Sequence, residues 1–289
     1  MKNFRYYLEH LLLLGIHAFC KIMPWRMAST LFGKLVATLF SPMARNRKAV
    51  RNVRAALHCS PDKAHEIAQK HWNNLGRVLA EFPHLRKIAR NHVRFEGLEH
   101  IETLRDDGKA GILFGAHLGN WEVIPHALLR HADFAMHPVY RAPNNPYVDK
   151  RLHDYRSRGT RLVPYAKSRQ GMTGMVKAVK NGEHLGLLID QKYNEGIETE
   201  FFGMKARAGT AFIDMALKYN CPLVPIRCIR EKDGFCIKVE PPLDIKNRDV
   251  PDILKEVHAL LEKWIWEHPD QWLWSHRRWK LENLKYDER

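Results

Sequence analysis

The sequence predicts an α/β fold in which a mostly parallel central sheet is flanked by helices. Short apolar runs alternate with helical patterns throughout residues 93–245, and strands that alternate with helices form βαβ units with parallel neighbours. The chain has 289 residues and is 45% hydrophobic, which is enough material for one large domain with its own core.

The candidate strands are residues 111–116, 134–140, 161–164, 185–189, 223–229 and 235–239. The helical patterns between them are residues 121–131, 146–158, 171–180 and 209–219. Ser60 and Pro61 begin an earlier helix that runs to about residue 80, because Ser caps helices and Pro is tolerated at the first helical position. A long helix at about 251–267 and a tail rich in Trp and Arg complete the chain.

Residues 1–42 form an apolar appendage to a single α/β domain at residues 43–289. Its two apolar stretches, 11–20 and 27–40, are interrupted by His17 and Lys34 and are short for a bilayer span. We expect an N-terminal helical membrane anchor, either an interfacial helical hairpin or one shallow helix. A single span, or two amphipathic helices packed on the domain, are the alternatives.

The charge balance favours anionic partners. The chain carries 47 Lys and Arg against 32 Asp and Glu, a net charge of +15, which suits nucleic acid, anionic lipid or an acidic protein. No helix-turn-helix, RNP or zinc pattern is visible, so we expect no nucleic acid partner. The mean hydropathy of −0.43 excludes a polytopic membrane protein.

The five cysteines contain no C-x-x-C pair and are odd in number. This pattern argues against a disulfide framework or a zinc site and favours a reducing compartment. No cluster of His, Cys and carboxylates has the spacing of metal ligands, so no metal is predicted.

The segment 111–122 contains the strongest candidate for catalysis. An apolar strand ends just before His117, Leu118 and Gly119 form a turn, and Asn120 caps a helix whose first turn contains Glu122. His117 therefore lies at the carboxyl end of a strand, where open α/β sheets place their sites. We expect the chain to fold back so that Glu122 contacts the imidazole. Alternatively, the two residues are an ordinary strand-end histidine and a helix-start carboxylate.

An imidazole held by a carboxylate is a general base near neutral pH, because the carboxylate fixes the tautomer and stabilises the imidazolium. No Ser, Thr or Cys lies close to His117 in the sequence. This combination indicates that a hydroxyl of the substrate attacks directly, without a protein nucleophile.

Two further regions are basic or aromatic. Residues 150–169 contain seven Lys and Arg but only one acid, Asp154, which is either a surface for an acidic partner or a solvated face. The tail interleaves Trp272, Trp274 and Trp279 with basic residues. These residues suit an interfacial anchor or glycolipid contact. Packing of the last helix onto the sheet is the alternative, and both roles are compatible.

Several ordered motifs carry a family resemblance across nearly the whole chain. They are the H-x-x-x-x-E pattern at His117 and Glu122, Val139-Tyr-Arg-Ala-Pro-Asn-Asn, Ile189-Asp-Gln, Phe201-Phe-Gly with Ala208-Gly-Thr, Val224-Pro-Ile-Arg and Trp274-Ser-His-Arg-Arg-Trp-Lys. A basic helix at 45–54 precedes them. The chain resembles the lipid A late acyltransferases of the lauroyl/myristoyl type, within the lysophospholipid acyltransferase superfamily. It departs from many relatives at Lys192-Tyr-Asn and at Trp279, which affects substrate details.

The resemblance implies a glycerol-phosphate acyltransferase-like fold and an enzyme at the cell inner membrane, facing the cytoplasm. Such an enzyme moves a fatty acyl chain from acyl carrier protein to a hydroxyl of a Kdo-bearing lipid A precursor. It implies no cofactor beyond the acyl carrier protein thioester. By the same resemblance His117 is the general base, Glu122 is its orienting partner, and Arg141 and Asp190 lie in or near the site.

The residues themselves add four substrate-binding candidates. Arg141 ends a candidate strand and is either a donor to the oxyanion of thioester attack or a surface arginine. Asp190 should share a sheet edge with His117, or else it caps a turn. Arg207 and Thr210 precede a helix whose start can bind phosphate or ester oxygens, although a plain cap is the alternative for Thr210.

Two other functions remain open from the sequence. One is an acyl-CoA-dependent acyltransferase of phospholipids or phosphatidylinositol mannosides from the same superfamily. The other is a non-enzymatic basic protein that binds membranes.

Overall fold

A computed structural model describes residues 2–280. Its central sheet has seven strands in the order β1-β9-β8-β2-β5-β3-β4, and every neighbouring pair is parallel except β8 and β9. These strands are β1 (Val93–Glu96), β2 (Ile112–Gly115), β3 (Met136–Tyr140), β4 (Tyr165–Ala166), β5 (His184–Leu188), β8 (Leu223–Arg230) and β9 (Phe235–Val239). A separate antiparallel hairpin contains β6 (Ile197–Phe201) and β7 (Met204–Ala208). The predicted mostly parallel sheet is confirmed.

Helices precede, connect and follow the strands. They are α1 (Lys2–Ile22), α2 (Trp25–Phe40), α3 (Ala44–Leu57), α4 (Pro61–Glu81), α5 (Leu85–Asn91), α6 (Leu98–Asp106), α7 (Val123–His131), α8 (Pro146–Ser157), α9 (Arg169–Lys180), α10 (Ala211–Tyr219) and α11 (Val250–Glu267). Ser60 caps α4 as expected, since its side chain accepts a hydrogen bond from the Lys63 amide.

The core occupies both faces of the sheet. Ile112 and Phe114 of β2 face one apolar cluster, formed with α3, α4, α9, α10 and α11. Leu113 faces the other, formed with α5, α6 and α7. All four residues of β2 are buried, as expected for a central parallel strand covered on both sides.

Three parts of the strand prediction are wrong, because one strand is displaced and both β1 and the hairpin β6–β7 were missed. The strand expected at 161–164 lies instead at β4, because Pro164 lacks the N–H that a ladder needs and Arg161 and Val163 are exposed. The hairpin β6–β7 was missed, since its strands alternate between buried and exposed residues and form no apolar run. Phe202 and Gly203 both have positive φ, which gives the tight turn between the two strands.

The N-terminal helices pack on the domain, α2 mainly through α4 and α1 mainly through α8. Gly76 of α4 permits this contact, since a Cβ there would lie 2.4 Å from the Phe32 carbonyl oxygen of α2. Within residues 2–280, no helix is both long enough and apolar enough to cross a bilayer.

Candidate active site

The central pair of the site, His117 and Asp190, lies beyond the ends of two neighbouring parallel strands, β2 and β5. The ends of β2 and β5 are paired at Gly115 and Leu188, and the Ile189 amide continues the ladder by donating to the Gly115 carbonyl at 3.1 Å. His117 and Asp190 each follow two residues after the end of their strand. The structure thus confirms that they share one sheet edge.

Asp190 holds both the ring and the backbone of His117. Its Oδ1 lies 2.7 Å from His117 Nδ1, and its Oδ2 accepts from the His117 amide at 3.0 Å. Trp272 Nε1 donates to the same Oδ2 at 2.7 Å. Burial alone raises the pKa of the Asp190 carboxyl, but His117 and the hydrogen bonds from His117 and Trp272 outweigh burial and hold that pKa well below its usual range.

The second ring nitrogen of His117 is available for chemistry. Because Nδ1 faces a carboxylate that only accepts, Nδ1 carries the proton in the neutral ring and Nε2 keeps its lone pair. The side chain is 16% exposed and lines the main cleft. Gln191 Nε2 lies 3.3 Å from His117 Nε2.

Glu122 has a different partner from the one expected. Arg156 of α8 donates to both Glu122 oxygens, at 2.6 and 2.8 Å, and Trp121 Nε1 donates to Oε1 at 3.1 Å. The prediction that Glu122 orients the His117 ring is wrong, because Asp190 occupies Nδ1. Burial opposes ionisation of Glu122, but Arg156 and then Trp121 and His117 outweigh it, so its pKa is lowered.

The turn between His117 and Glu122 is fixed by its backbone. Gly119 has a φ of 59°, and a Cβ there would lie 2.2 Å from the Cys228 carbonyl oxygen, so only glycine fits. Asn120 Oδ1 accepts from the Glu122 amide at 3.1 Å. The expected order of strand, turn and helix is confirmed, but α7 begins only at Val123. The predictions that Asn120 caps this helix and that Glu122 lies in its first turn are therefore wrong, because Glu122 itself is the N-cap residue.

A buried carboxylate supports this turn from behind. Glu81, which is 0% exposed, accepts from Asn120 Nδ2 at 2.6 Å, from Ser29 Oγ at 2.6 Å and from two nitrogens of Arg230. Arg230 in turn donates to Asn74, whose amide binds the Gly119 carbonyl. The sequence predicts only that a helix ends near Glu81. The partners of Glu81 could not be predicted, because they are far apart in the chain and no local pattern reveals them.

The cleft beside His117 has a volume of about 450 Å³. Its apolar lining includes Leu113, Ile124, Met136, Leu187 and Ile226. Its polar lining includes His117, Glu122, Arg141, Arg156, Lys167 and Gln191. Among the described residues that line it, none is Ser, Thr or Cys. An elongated apolar group and a polar reacting centre both fit such a cleft.

The chain matches the model of the bacterial lipid A biosynthesis acyltransferases over residues 1–281. It belongs to this family. It is similar to a phosphatidylinositol mannoside acyltransferase of Mycobacterium tuberculosis, 27% identical over 73% of this chain and 67% of the relative. A lipid A biosynthesis lauroyltransferase of Escherichia coli is 27% identical over 82% of this chain and 80% of its own length. A lipid A biosynthesis acyltransferase of Haemophilus influenzae is 25% identical over 86% of this chain and 82% of its own.

The protein is therefore an enzyme, an acyltransferase.

Of its predicted substrate-binding residues, Arg141 lines the cleft and Asp190 holds His117. Arg207 and Thr210 do not line the cleft. Arg207 lies in β7 with an exposed side chain. Thr210 occupies the N-cap position of α10, but its Oγ1 donates to Asp214 at 2.9 Å and makes no side-chain capping bond.

The tryptophans of the tail are buried, which contradicts an interfacial anchor at these side chains. Trp272, Trp274 and Trp279 are at most 6% exposed. Trp274 Nε1 donates to the Pro269 carbonyl and Trp279 Nε1 to the Phe201 carbonyl. The alternative reading, packing onto the sheet, is confirmed.

Arg156, Gln191 and Trp272 are site residues that sequence reasoning missed. Arg156 belongs to the basic stretch 150–169, where other cations are also paired: Arg158 lies beside Asp154 and Arg161 beside Asp133.

Within residues 2–280, no three His, Cys, Asp or Glu side chains are grouped as metal ligands.

Proposed function

We propose that the enzyme transfers a fatty acyl chain from acyl carrier protein to a hydroxyl of a Kdo-bearing lipid A precursor, with His117 as the general base. The observation that carries this proposal is the His117 ring itself. Asp190 fixes its Nδ1, and its Nε2 faces a cleft whose described lining contains no Ser, Thr or Cys. A base without a protein nucleophile suits direct attack by the acceptor hydroxyl.

The reaction then follows in two proton transfers. His117 Nε2 takes the proton of the acceptor hydroxyl as its oxygen forms a bond to the thioester carbonyl carbon. The carbon–sulfur bond breaks as the tetrahedral intermediate collapses, and the departing sulfur takes the proton from Nε2. Asp190 stabilises the imidazolium between these steps.

The cleft offers places for both ends of the acyl donor. Its apolar wall suits the fatty chain, since each buried methylene contributes about 0.8 kcal/mol. Arg141, Lys167 and Gln191 line the cleft together with His117 and can donate hydrogen bonds to the oxyanion. In this proposal Glu122 holds Arg156 in the cleft wall through their ion pair. It does not orient His117.

Membrane association is part of the same proposal, at the cytoplasmic face of the cell inner membrane. A row of large apolar side chains is exposed on α1 and α2, including Leu12, Ile22, Met27, Leu31 and Leu35. An amphipathic helix pair of this kind lies in a membrane interface. Such an anchor would hold the cleft close to a lipid acceptor.

A second candidate is acyl transfer to phosphatidylinositol mannosides from acyl-CoA. It is favoured by the M. tuberculosis relative, which is as similar to this chain as the E. coli lauroyltransferase in identity, at 27%, although over a shorter segment. The catalytic step would be the same, and only the donor and acceptor would differ.

A transfer assay with purified protein separates these proposals. Laurate and myristate are offered as carrier-protein and as CoA thioesters, with a lipid A precursor as acceptor. We expect His117→Ala to abolish transfer and His65→Ala, at an exposed histidine on α4, to retain it. Unchanged turnover of His117→Ala would refute the mechanism, and a clear preference for CoA would favour the second candidate. Mass spectrometry of lipid A from a deletion strain identifies the missing chain.

A further inference from the structure

Helix α3 presents a row of cations close to the site. Arg45, Lys48 and Arg51 are spaced by three residues and therefore share one side of the helix. Residues 43–59 contain no acid. Within residues 2–280, none of these three side chains forms an ion pair, and Arg51 Nε is buried without a hydrogen-bond partner. Like charges at this spacing repel each other and destabilise a helix.

A fourth cation joins the row from the C-terminal tail. Lys48 Nζ donates to the Ser275 carbonyl at 3.3 Å, and Asn52 Nδ2 donates to the carbonyls of Trp274 and His276 at 2.9 and 3.0 Å. This contact places Arg277 beside α3. Desolvation, then Arg277, Arg45 and Arg51, lower the pKa of Lys48, so the four charges share one electrostatic environment.

The tail also connects this cluster to the catalytic pair. Trp272 binds Asp190, and Arg277 follows only five residues later, so their Cα atoms lie at most about 18 Å apart. His276 lies between the two sites. Desolvation lowers the pKa of His276 to about 4. Asp190 raises this pKa, whereas His117, Arg278 and Lys48 lower it further.

We propose that Arg45, Lys48, Arg51 and Arg277 form a binding site for a phosphate group on the headgroup of the lipid acceptor. Several converging cations are what a phosphate requires, because it accepts charge-assisted hydrogen bonds on three oxygens. This inference rests on the proposed transfer to a lipid hydroxyl. It gives the acceptor a second point of attachment that holds the hydroxyl at His117.

The neighbouring surface favours a lipid over an acidic protein. Leu31, Leu35 and Leu39 of α2 are exposed, and so is Met43 immediately before α3. A basic cluster that directly follows an apolar helix is typical of contact with anionic lipid headgroups. By contrast, Arg156, Arg158 and Arg161 of the basic stretch 150–169 are already bound to carboxylates.

The first test measures binding to phosphatidylcholine vesicles with and without phosphatidic acid. We expect Lys48→Gln/Arg277→Gln to weaken binding to the phosphatidic acid vesicles about a hundredfold, which is about tenfold for each of the two charge-assisted hydrogen bonds lost. The charge-conserving variant Lys48→Arg/Arg277→Lys should restore binding, which separates charge from misfolding. The control Lys109→Gln/Lys180→Gln removes two exposed cations at the opposite edge of the sheet and should bind like the wild type.

Three results would overturn the proposal. An equal loss of vesicle binding in the control variant would show that binding depends only on the overall net charge of +15 and not on this cluster. Displacement by inorganic phosphate as strong as by the lipid would indicate a site for the free anion. A rise in KM for the acyl carrier protein alone, with unchanged vesicle binding, would indicate protein docking. His117→Ala should still bind the vesicles, so failure of the catalytic proposal and failure of this one are distinguishable.

Discussion

Arg156 binds both carboxylate oxygens of Glu122, at 2.6 and 2.8 Å, inside the cleft that contains His117. The H-x-x-x-x-E motif therefore does not form a His–Glu hydrogen bond in this structure. It places His117 and a bound carboxylate–guanidinium pair on two sides of one turn, while Asp190 of the neighbouring strand end holds the His117 ring.

Replacement of Asp190 tests the orienting role. Asp190→Asn removes the acceptor for Nδ1–H and favours the wrong tautomer, so we expect kcat to fall by about 10³–10⁴ with little change in KM. The control is Asp154→Asn, which removes a carboxylate paired with the exposed Arg158. Steady-state kinetics and thermal unfolding check the result, and a kcat near the wild-type value in a folded Asp190→Asn variant would contradict the assignment.

Trp272 positions Asp190 through a single hydrogen bond. Trp272→Phe keeps most of the buried ring but removes the donor to Oδ2, so we expect kcat to fall about tenfold or more. Trp274→Phe is the matched control, because its Nε1 donates to the Pro269 carbonyl and not to Asp190. Equal losses of activity in both variants would indicate a purely structural effect.

The Glu122–Arg156 pair should be coupled in stability. Arg156→Met leaves a buried, unpaired carboxylate and should reduce the free energy of unfolding by about 3–5 kcal/mol. Adding Glu122→Gln should recover part of that loss, which a double-mutant cycle in urea measures. Because the pKa of Glu122 is lowered in the folded state, its contribution is present above about pH 4.3 and is lost as pH falls through the folded pKa. If the effects of the two substitutions on the free energy of unfolding are additive, the predicted coupling is contradicted.

Buried histidines should make the enzyme less stable in mild acid. Desolvation lowers the pKa of His71 and His258 to about 3, and those of His126 and His184 to about 4. The unfolded chain has histidine pKa values near 6.5, so below that pH it binds more protons than the folded chain. Each such histidine then reduces the free energy of unfolding by at most about 1.4 kcal/mol per pH unit.

Urea unfolding between pH 7 and 4.5 measures this loss. His126→Gln should flatten the pH dependence, whereas His65→Gln, at an exposed position, should not. A pH-independent free energy of unfolding across this window would refute the prediction.

Met136 and Gly186 should influence acyl-chain length. Both line the cleft, and a Cβ at position 186 would lie 2.5 Å from Met136 Sδ. Gly186→Ala must displace this flexible side chain, so we expect a shift toward shorter acyl chains, while Met136→Ala should admit longer ones. Competition between carrier-protein thioesters of different length gives the preference. Met175→Ala, at a buried methionine outside the cleft, is the control, and an unchanged preference in both cleft variants would contradict this role.

The sequence predicted those features that depend on local pattern. Five of the six candidate strands lie within a few residues of their predicted places, since apolar runs such as β2 and β8 are buried on both faces. The turn at Leu118 and Gly119 was also predictable, because glycine readily adopts the positive φ that this turn requires. The missed hairpin β6–β7 shows the limit, since its alternating exposure resembles that of polar surface segments.

By itself, then, the sequence determined the fold class, the position of His117 at a strand end and, through the order of its motifs, the family. Only the tertiary structure decided which carboxylate holds the imidazole. Glu122 is five residues from His117 in the chain, yet Asp190, 73 residues away, is its partner. The physical reason is the parallel pairing of β2 with β5, which brings the two strand ends together, while α8 supplies Arg156 to bind Glu122.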